Sequence, residues 1–305
     1  MTQQHDAFQP VGHLPTIKQI RYLAALATHR HFGRAAEACA VTQSAFSAGI
    51  KDLETLIGTQ LVDRARQPID LTPAGMAAAA RADSLLCAAR DLVAAAQASA
   101  KPGRGRVKLG LIPTIAPYLL APALNRWAAE LPDLTIDPEE DLSASLVEGL
   151  RQGRLDAAIL ALPYPLEGLT SQAVLDDPLR LVLPGDHMLA REQVVPLQAL
   201  NGLNLLRLAE GHCLGDHVLA ACGREAGRDA PGGFAASVPT LVALTEAGRG
   251  VTVLPELAIR AGVLSGTRLI ARPIEGNPLR RIALVRREGC PREPAWRRIA
   301  SCLMR

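Results

Sequence analysis

The segment at residues 98–106, ASAKPGRGR, most constrains the fold, because it separates two stretches with different hydrophobic patterns. Its glycines, proline and basic residues are typical of a linker between domains. Before it, apolar residues recur at spacings of three and four, which predicts helices; from Val107 onward, short apolar strands alternate with helical segments. We therefore expect a helical N-terminal domain and a larger α/β domain, within the two or three domains that 305 residues allow.

Composition and charge indicate an ordinary globular protein. Hydrophobic residues make up 49%, charged residues 21%, and the net charge is only +3. Residues 1–14 are expected to be flexible; they lack the apolar core of a signal peptide, and no apolar run reaches about 18 residues. We expect a cytoplasmic protein with no membrane partner, whose cysteines start as thiols. Cys39 and Cys87, set among small apolar residues, are expected to be buried packing residues.

Residues 15–72 are predicted to form a winged helix-turn-helix. Thr16 caps an amphipathic first helix, a short second helix follows His31, and Gly58 ends a third. The exposed start of that third helix is the expected DNA-contact surface. The candidate DNA-binding residues are Arg34, Thr42, Gln43, Ser44, Ser47, Lys51, Arg64 and Arg66, the two last in a basic wing. A small helical bundle and a solvated charged loop are the alternatives.

A long helix is predicted over residues 73–98, with Pro73 at its first position. It would be about 39 Å long at about 1.5 Å per residue, which exceeds what a small domain needs. Its apolar seam, expected to join two copies of the chain, is Met76, Leu85, Leu86, Leu92 and Val93. A hinge at residues 99–106 follows.

Residues 107–305 are predicted to form a two-lobed α/β regulatory domain on a parallel sheet. Lobe I is expected at about 107–180 plus 283–305, and lobe II at about 181–282. A cleft between two such lobes suits a small ligand.

Residues 211–222, GHCLGDHVLAAC, suggest three kinds of site. One is a redox switch, one is a metal site, and one is a structural pair of buried cysteines. A metal site would use His212, Cys213, His217 and Cys222, but adjacent residues point apart on a regular backbone. We therefore expect no metal and no cofactor.

Several segments resemble LysR-type transcriptional regulators. HFGRAAEACAVTQSAFSAGIKDLE is similar to the family's helix-turn-helix, and LVDRARQPIDLTPAG to its wing. Within the family, GLIPTIAPYLLAP, DAAILAL and LAEGHCLGDHVLAAC resemble the peroxide-sensing OxyR subgroup. The resemblance implies a periplasmic-binding-protein-like regulatory domain, a homodimer or homotetramer, and control of oxidative-stress genes as an activator. It also implies three partners besides peroxide: double-stranded operator DNA, RNA polymerase, and a thiol reductant such as glutaredoxin or thioredoxin.

The resemblance further implies that Cys213 is oxidised by hydrogen peroxide and forms a disulfide with Cys222. A helix over this segment would hold the two cysteines about 13 to 14 Å apart, so bonding within about 7 Å requires refolding. Asp216 is a possible helix cap. The helix start and His212 are expected to favour the Cys213 thiolate. The implied peroxide-binding residues are Thr114, Ser143, His212, Asp216 and Arg287.

The sequence departs from the family pattern at three places. Ser44 replaces a common proline, Ala48 and Gly49 replace more polar residues, and Gly215 replaces a basic residue of the subgroup. Two other functions stay open: a regulator of the same architecture that binds a small organic effector, with incidental cysteines, and a thiol peroxidase or hydrolase. A helix-turn-helix would be of little use to such an enzyme.

Overall fold

The computed structural model describes residues 14–64, 69–100, 104–221, 233–290 and 293–304. The chain divides into two compact units, one extending to Leu92 and the other starting at Val93, and each is described by itself. Within the described ranges, no helix combines the length and apolar character needed to cross a membrane.

The first unit contains the predicted helix-turn-helix. Its helices are α1 (Ile17–His29), α2 (Phe32–Ala38) and α3 (Gln43–Ile57). Thr16 and Gln19 form a reciprocal capping box at the start of α1. Gly58 ends α3 in the left-handed conformation, as predicted. The buried side chains of this core include Tyr22, Leu23, Leu26, Phe46, Ile50 and Leu53.

A two-stranded wing and a long helix follow. Strands β1 (Val62–Asp63) and β2 (Asp70–Leu71) pair antiparallel. Helix α4 (Pro73–Ala100) begins at the predicted residue. Its predicted seam is divided in the structure, because Leu86 is buried against Ile20 while Leu85 and Leu92 are exposed. Cys39 and Cys87 are both buried, which confirms their prediction.

The second unit is an α/β domain. Its elements are β3 (Gly105–Leu111), α5 (Ala116–Glu130), β4 (Leu134–Glu140), α6 (Ser143–Arg151), β5 (Ala157–Leu162), β6 (Leu169–Pro184), β7 (Leu205–Leu208), α7 (Cys213–Ala221), β8 (Phe234–Ala235), α8 (Val238–Glu246), β9 (Val251–Pro255), α9 (Glu256–Arg260), β10 (Leu269–Pro273), β11 (Leu279–Arg287) and α10 (Glu293–Leu303).

The sheet is mixed rather than parallel. Strand β3 pairs parallel with β4 and β5, and β7 pairs parallel with β8 and β9. Between these groups, β6 and β11 pair antiparallel with their neighbours. The prediction was wrong for this central part. Strand β11, which comes from near the end of the chain, lies between β5 and β6 and runs antiparallel to both.

Two hydrophobic cores define the lobes. The lobe I core uses residues between Val107 and Val174 and between Ile282 and Leu303. The lobe II core uses residues between Leu179 and Ile274. Cys213 lies within the residues predicted for lobe II, but its side chain packs in the lobe I core, whereas that of Leu214 packs in the lobe II core. Helix α7 is therefore anchored in both lobes by consecutive residues.

Candidate functional site

A tight turn places Cys213 at the first position of α7. Gly211 precedes it with a φ of 95°, a left-handed conformation that side chains disfavour. Asp216 lies in the first turn of α7 and is exposed, so the expectation that it caps the helix was wrong. Its carboxylate still raises the pKa of the Cys213 thiol through its charge.

A narrow, closely packed pocket lies beside Cys213. Four predicted site residues line it, namely Thr114, Ser143, His212 and Cys213. Thr114 precedes α5 and Ser143 begins α6, and each is only 2% exposed. Ser143 hydrogen-bonds the Cys213 side chain and thereby lowers the pKa of its thiol. The four residues come from three segments far apart in the sequence and combine a thiol with two hydroxyls and an imidazole.

Arg287 does not reach this pocket. Its Nη1 donates to the carbonyl oxygens of Leu150 and Leu155, at 2.7 and 3.0 Å. The cation whose charge acts on the Cys213 thiol is Arg280, which is fully buried and lowers the pKa of that thiol. The structure therefore does not bring Arg287 to the pocket as predicted, whereas Arg280 bonds Thr114 in the pocket lining.

Arg280 is held by two residues on opposite sides. Its Nη1 donates to Thr114 Oγ1 at 2.7 Å, and its Nη2 donates to the Thr114 carbonyl oxygen at 3.0 Å. Its Nε and Nη2 donate to Asp177 Oδ2, both at 3.0 Å. Because a guanidinium has only donors, the Thr114 hydroxyl oxygen accepts and its own hydrogen is available to a ligand in the pocket.

The surroundings of Cys213 favour its thiol over its thiolate. Burial raises the pKa of the thiol above its ordinary value, more than Ser143 and Arg280 lower it. The expectation of a favoured thiolate was wrong, because the cost of placing an anion among apolar side chains exceeds the help of nearby donors. Burial also lowers the pKa of His212, so its imidazole is neutral.

His217 lies one turn along α7 from Cys213 and is buried. Its Nε2 hydrogen-bonds the Pro163 carbonyl oxygen at 3.0 Å, which ties α7 to the end of β5. Burial, aided by the charge of Arg280, lowers the pKa of this imidazole. In the part of the chain that the structure describes, no three His, Cys, Asp or Glu side chains are placed to hold a metal ion. Cys222 lies outside the described residues.

The predicted DNA-contact residues lie at or near α3. Thr42 caps the helix by accepting a hydrogen bond from the Ala45 amide at 3.3 Å. Gln43, Ser44 and Lys51 are exposed, and Ser47 is half-buried. Gly49 lies against the α1–α3 contact, where an added Cβ would come within 2.7 Å of the Tyr22 ring. This close approach explains the departure from the family pattern at that position.

The arginines predicted to contact DNA differ in their surroundings. Arg34 is exposed and donates to the His29 carbonyl oxygen at 3.0 Å. Arg64 pairs with Glu54 at 3.1 Å and lies over the Phe32 ring. Arg66 lies outside the described residues.

The comparisons with known proteins agree with this architecture. Residues 17–76 match the family described as "Bacterial regulatory helix-turn-helix protein, lysR family", and residues 100–305 match "LysR substrate binding domain". The chain belongs to the LysR family of bacterial transcriptional regulators, which are not enzymes.

Three similar proteins place the chain within that family. It is 40% identical to a "Probable hydrogen peroxide-inducible genes activator" of Streptomyces viridosporus, over 95% of this chain and 93% of that protein. It is 38% identical to "HTH-type transcriptional regulator EstR" of Acinetobacter baylyi, over 96% of this chain and 97% of that protein. The structure of a full-length OxyR point mutant from Pseudomonas aeruginosa superposes with a TM-score of 0.75 at 31% identity, covering 95% of this chain and 98% of that one.

Proposed function

We propose that the protein is an OxyR-like regulator that responds to hydrogen peroxide through oxidation of Cys213. The observation that carries the proposal is the pocket itself, in which a buried thiol faces two hydroxyls and a neutral imidazole with a buried arginine behind them. The pocket is too closely packed in this structure to hold a drug-sized ligand. The names of similar proteins support the same assignment.

The proposed reaction uses peroxide as the oxidant. The Cys213 sulfur attacks the nearer oxygen, the S–O bond forms, and the O–O bond breaks. The distal oxygen leaves as hydroxide and takes the thiol proton, so the products are a sulfenic acid and water. The Thr114 hydroxyl donates to the peroxide, Arg280 stabilises the charge that develops, and the neutral His212 relays the proton.

A second step then links Cys213 to Cys222. The Cys222 thiol attacks the sulfenic sulfur, water leaves, and a disulfide forms. Helix α7 begins at Cys213 and extends to Ala221, a rise of about 12 Å, whereas a disulfide needs Cα atoms within about 7 Å. We therefore expect α7 to refold when the bond forms. Refolding would remove α7 from its contacts in both lobes, which is how oxidation would change the regulatory domain.

The proposed output is a change in binding to operator DNA in the cytoplasm. The exposed residues Arg34, Gln43, Ser44 and Lys51 supply base and phosphate contacts through α3 and the turn before it. We propose a homodimer or homotetramer that acts on RNA polymerase, and a cellular dithiol reductant that restores the two thiols.

A regulator of a small organic effector is the second candidate, since one of the similar proteins is not named for peroxide. The two candidates differ in what happens to thiols. Mass mapping of the full chain before and after stoichiometric peroxide should show a new bond between Cys213 and Cys222. With Cys222→Ser, a sulfenic acid at Cys213 should appear without that bond, and with Cys213→Ser neither product should form. Unchanged thiol counts in the wild type would overturn the peroxide proposal.

A further inference from the structure

Asp177 and Arg280 form a buried ion pair at the point where β6 passes from one lobe to the other. They are direct partners across the antiparallel β6–β11 pairing. The Arg280 side chain is 0% exposed and that of Asp177 only 1%. A buried pair of this kind adds little net stability, because two charges lose their hydration. Its presence beside the sensing pocket therefore calls for a role other than stability.

The hydrogen bonds of Arg280 define how its guanidinium is oriented. Of its five N–H groups, two bond the Asp177 carboxylate and two bond Thr114. The fifth is on Nη1, the nitrogen that also holds the Thr114 hydroxyl, and it has no partner within the described ranges. This remaining N–H belongs to the nitrogen that bonds the hydroxyl of Thr114, a residue of the pocket lining.

Asp177 is itself held by a second partner besides Arg280. Its Oδ1 accepts a hydrogen bond from the Leu257 amide, in α9, at 2.9 Å, while Oδ2 accepts both bonds from Arg280. Leu257 packs on the lobe I core, and the strand that follows Asp177 enters the lobe II core. Both carboxylate oxygens are therefore engaged, and the carboxylate cannot turn without losing a buried hydrogen bond.

We propose that Asp177 is a positioning residue for the reaction of Cys213 with peroxide. It holds Arg280 so that the guanidinium orients the Thr114 hydroxyl and presents its remaining N–H toward the pocket. The proposal rests on the proposed function, and it concerns a residue that acts only through Arg280 and Thr114.

Two reagents separate positioning from a structural role. Peroxide needs oriented donors at the pocket, whereas iodoacetamide needs only access to the Cys213 sulfur. In the reduced full chain, Asp177→Asn should lower the peroxide rate constant at least tenfold while leaving the iodoacetamide rate constant equal or higher. A residue that only holds the lobes together would change both rates alike, because loosening exposes the sulfur to both reagents.

The neighbouring pair provides a matched control. Asp176 pairs with Arg281 at 3.0 Å on the same two strands, but both side chains are more than half exposed. Asp176→Asn removes the same charge and should leave both rate constants at the wild-type value.

A second variant preserves the buried charge, so it is expected to fold even if Asp177→Asn does not. Asp177→Glu moves the carboxylate by one methylene. If Asp177 positions Arg280, this variant should react more slowly with peroxide, whereas a purely electrostatic effect predicts no change in that rate. A wild-type peroxide rate in Asp177→Glu, or an unchanged ratio of the two rates in Asp177→Asn, would overturn the inference. If the wild type itself fails to react with peroxide at Cys213, the proposed function is wrong and this inference with it.

Discussion

Helix α3 and the Cys213 pocket both carry polar side chains, but in opposite surroundings. On α3, Gln43, Ser44 and Lys51 are exposed and stand on a core of apolar residues. At the pocket, Thr114 and Ser143 are almost completely buried, as is Arg280 behind Thr114. Substitutions on the helix should therefore change binding alone, whereas substitutions in the pocket should change reactivity and stability together.

The largest expected effect is on the buried cation. Arg280→Met leaves Asp177 buried without its partner, which should lower the free energy of unfolding by about 3–5 kcal/mol. Urea titration followed by tryptophan fluorescence measures this unit, because both tryptophans, Trp127 and Trp296, are buried in its lobe I core. The control Arg281→Met, at an exposed pair, should change stability by less than about 1 kcal/mol. Equal losses of stability in Arg280→Met and Arg281→Met would show that burial of the ion pair makes no difference.

The next effect concerns the pocket hydroxyl. Thr114→Val removes the acceptor for Arg280 and the donor to peroxide, so oxidation of Cys213 should slow about tenfold, or about 1.4 kcal/mol in the barrier. Stopped-flow measurement with peroxide in excess tests this. Thr252→Val is the matched control, because that buried hydroxyl bonds the Leu206 carbonyl oxygen in the lobe II core. If Thr114→Val were oxidised at the wild-type rate, the Thr114 hydroxyl would have no role in the reaction.

A smaller effect is expected on the recognition helix. Lys51→Ala should weaken operator binding and reduce the slope of log affinity against log salt by about 1, because one phosphate contact is lost. The urea midpoint should not move, since Lys51 is exposed. Lys108→Ala, an exposed lysine of the second unit, removes the same charge and should leave the slope unchanged. A loss of stability in Lys51→Ala would contradict the expectation that substitutions on α3 change DNA binding alone.

The smallest effect is a dependence on pH. The pKa of His217 is lowered in the packed helix by burial and by Arg280, with Pro163 and Asp216 opposing. An opened helix therefore binds a proton that the packed helix does not, so packing weakens as pH falls below about 6.5 and levels off below the folded pKa. Hydrogen exchange of α7 at pH 5.5 and 7.5 should show this loss of protection in the wild type. His217→Gln should reduce this pH-dependent loss of protection. If the loss were identical in His217→Gln, it would come from His212, whose pKa is also lowered.

The helical half of the fold could be predicted because its signals are local. The cap at Thr16, the stop at Gly58 and the start at Pro73 each depend on neighbouring residues, and all three were predicted. The division of the α4 seam could not be predicted in this way. Leu86 is buried because it packs against Ile20, whereas Leu85 is exposed, and only the structure shows this difference.

The site was predictable only where resemblance supplied the pairing of distant segments. Thr114, Ser143, His212 and Cys213 do meet in one pocket. The arginine was missed because β11 carries Arg280, Arg281, Arg286 and Arg287, and the choice among them depends on which residue faces inward. An irregularity in the pairing with β6 at Ile282 and Ala283 interrupts the simple alternation, so periodicity along one strand does not reveal it. The raised pKa of Cys213 likewise depends on burial that the local sequence does not contain.

The placement of Cys213 and Leu214 in different cores has an electrochemical consequence. If oxidation requires α7 to refold, the reduction potential of the proposed disulfide contains the packing free energy of the helix in both lobes. Each 1.4 kcal/mol removed from the packing of Leu214 or Val218 would then make the disulfide harder to reduce by about 30 mV. Apolar residues that never touch peroxide would thus set the ratio of thiol to disulfide at which the regulator changes state.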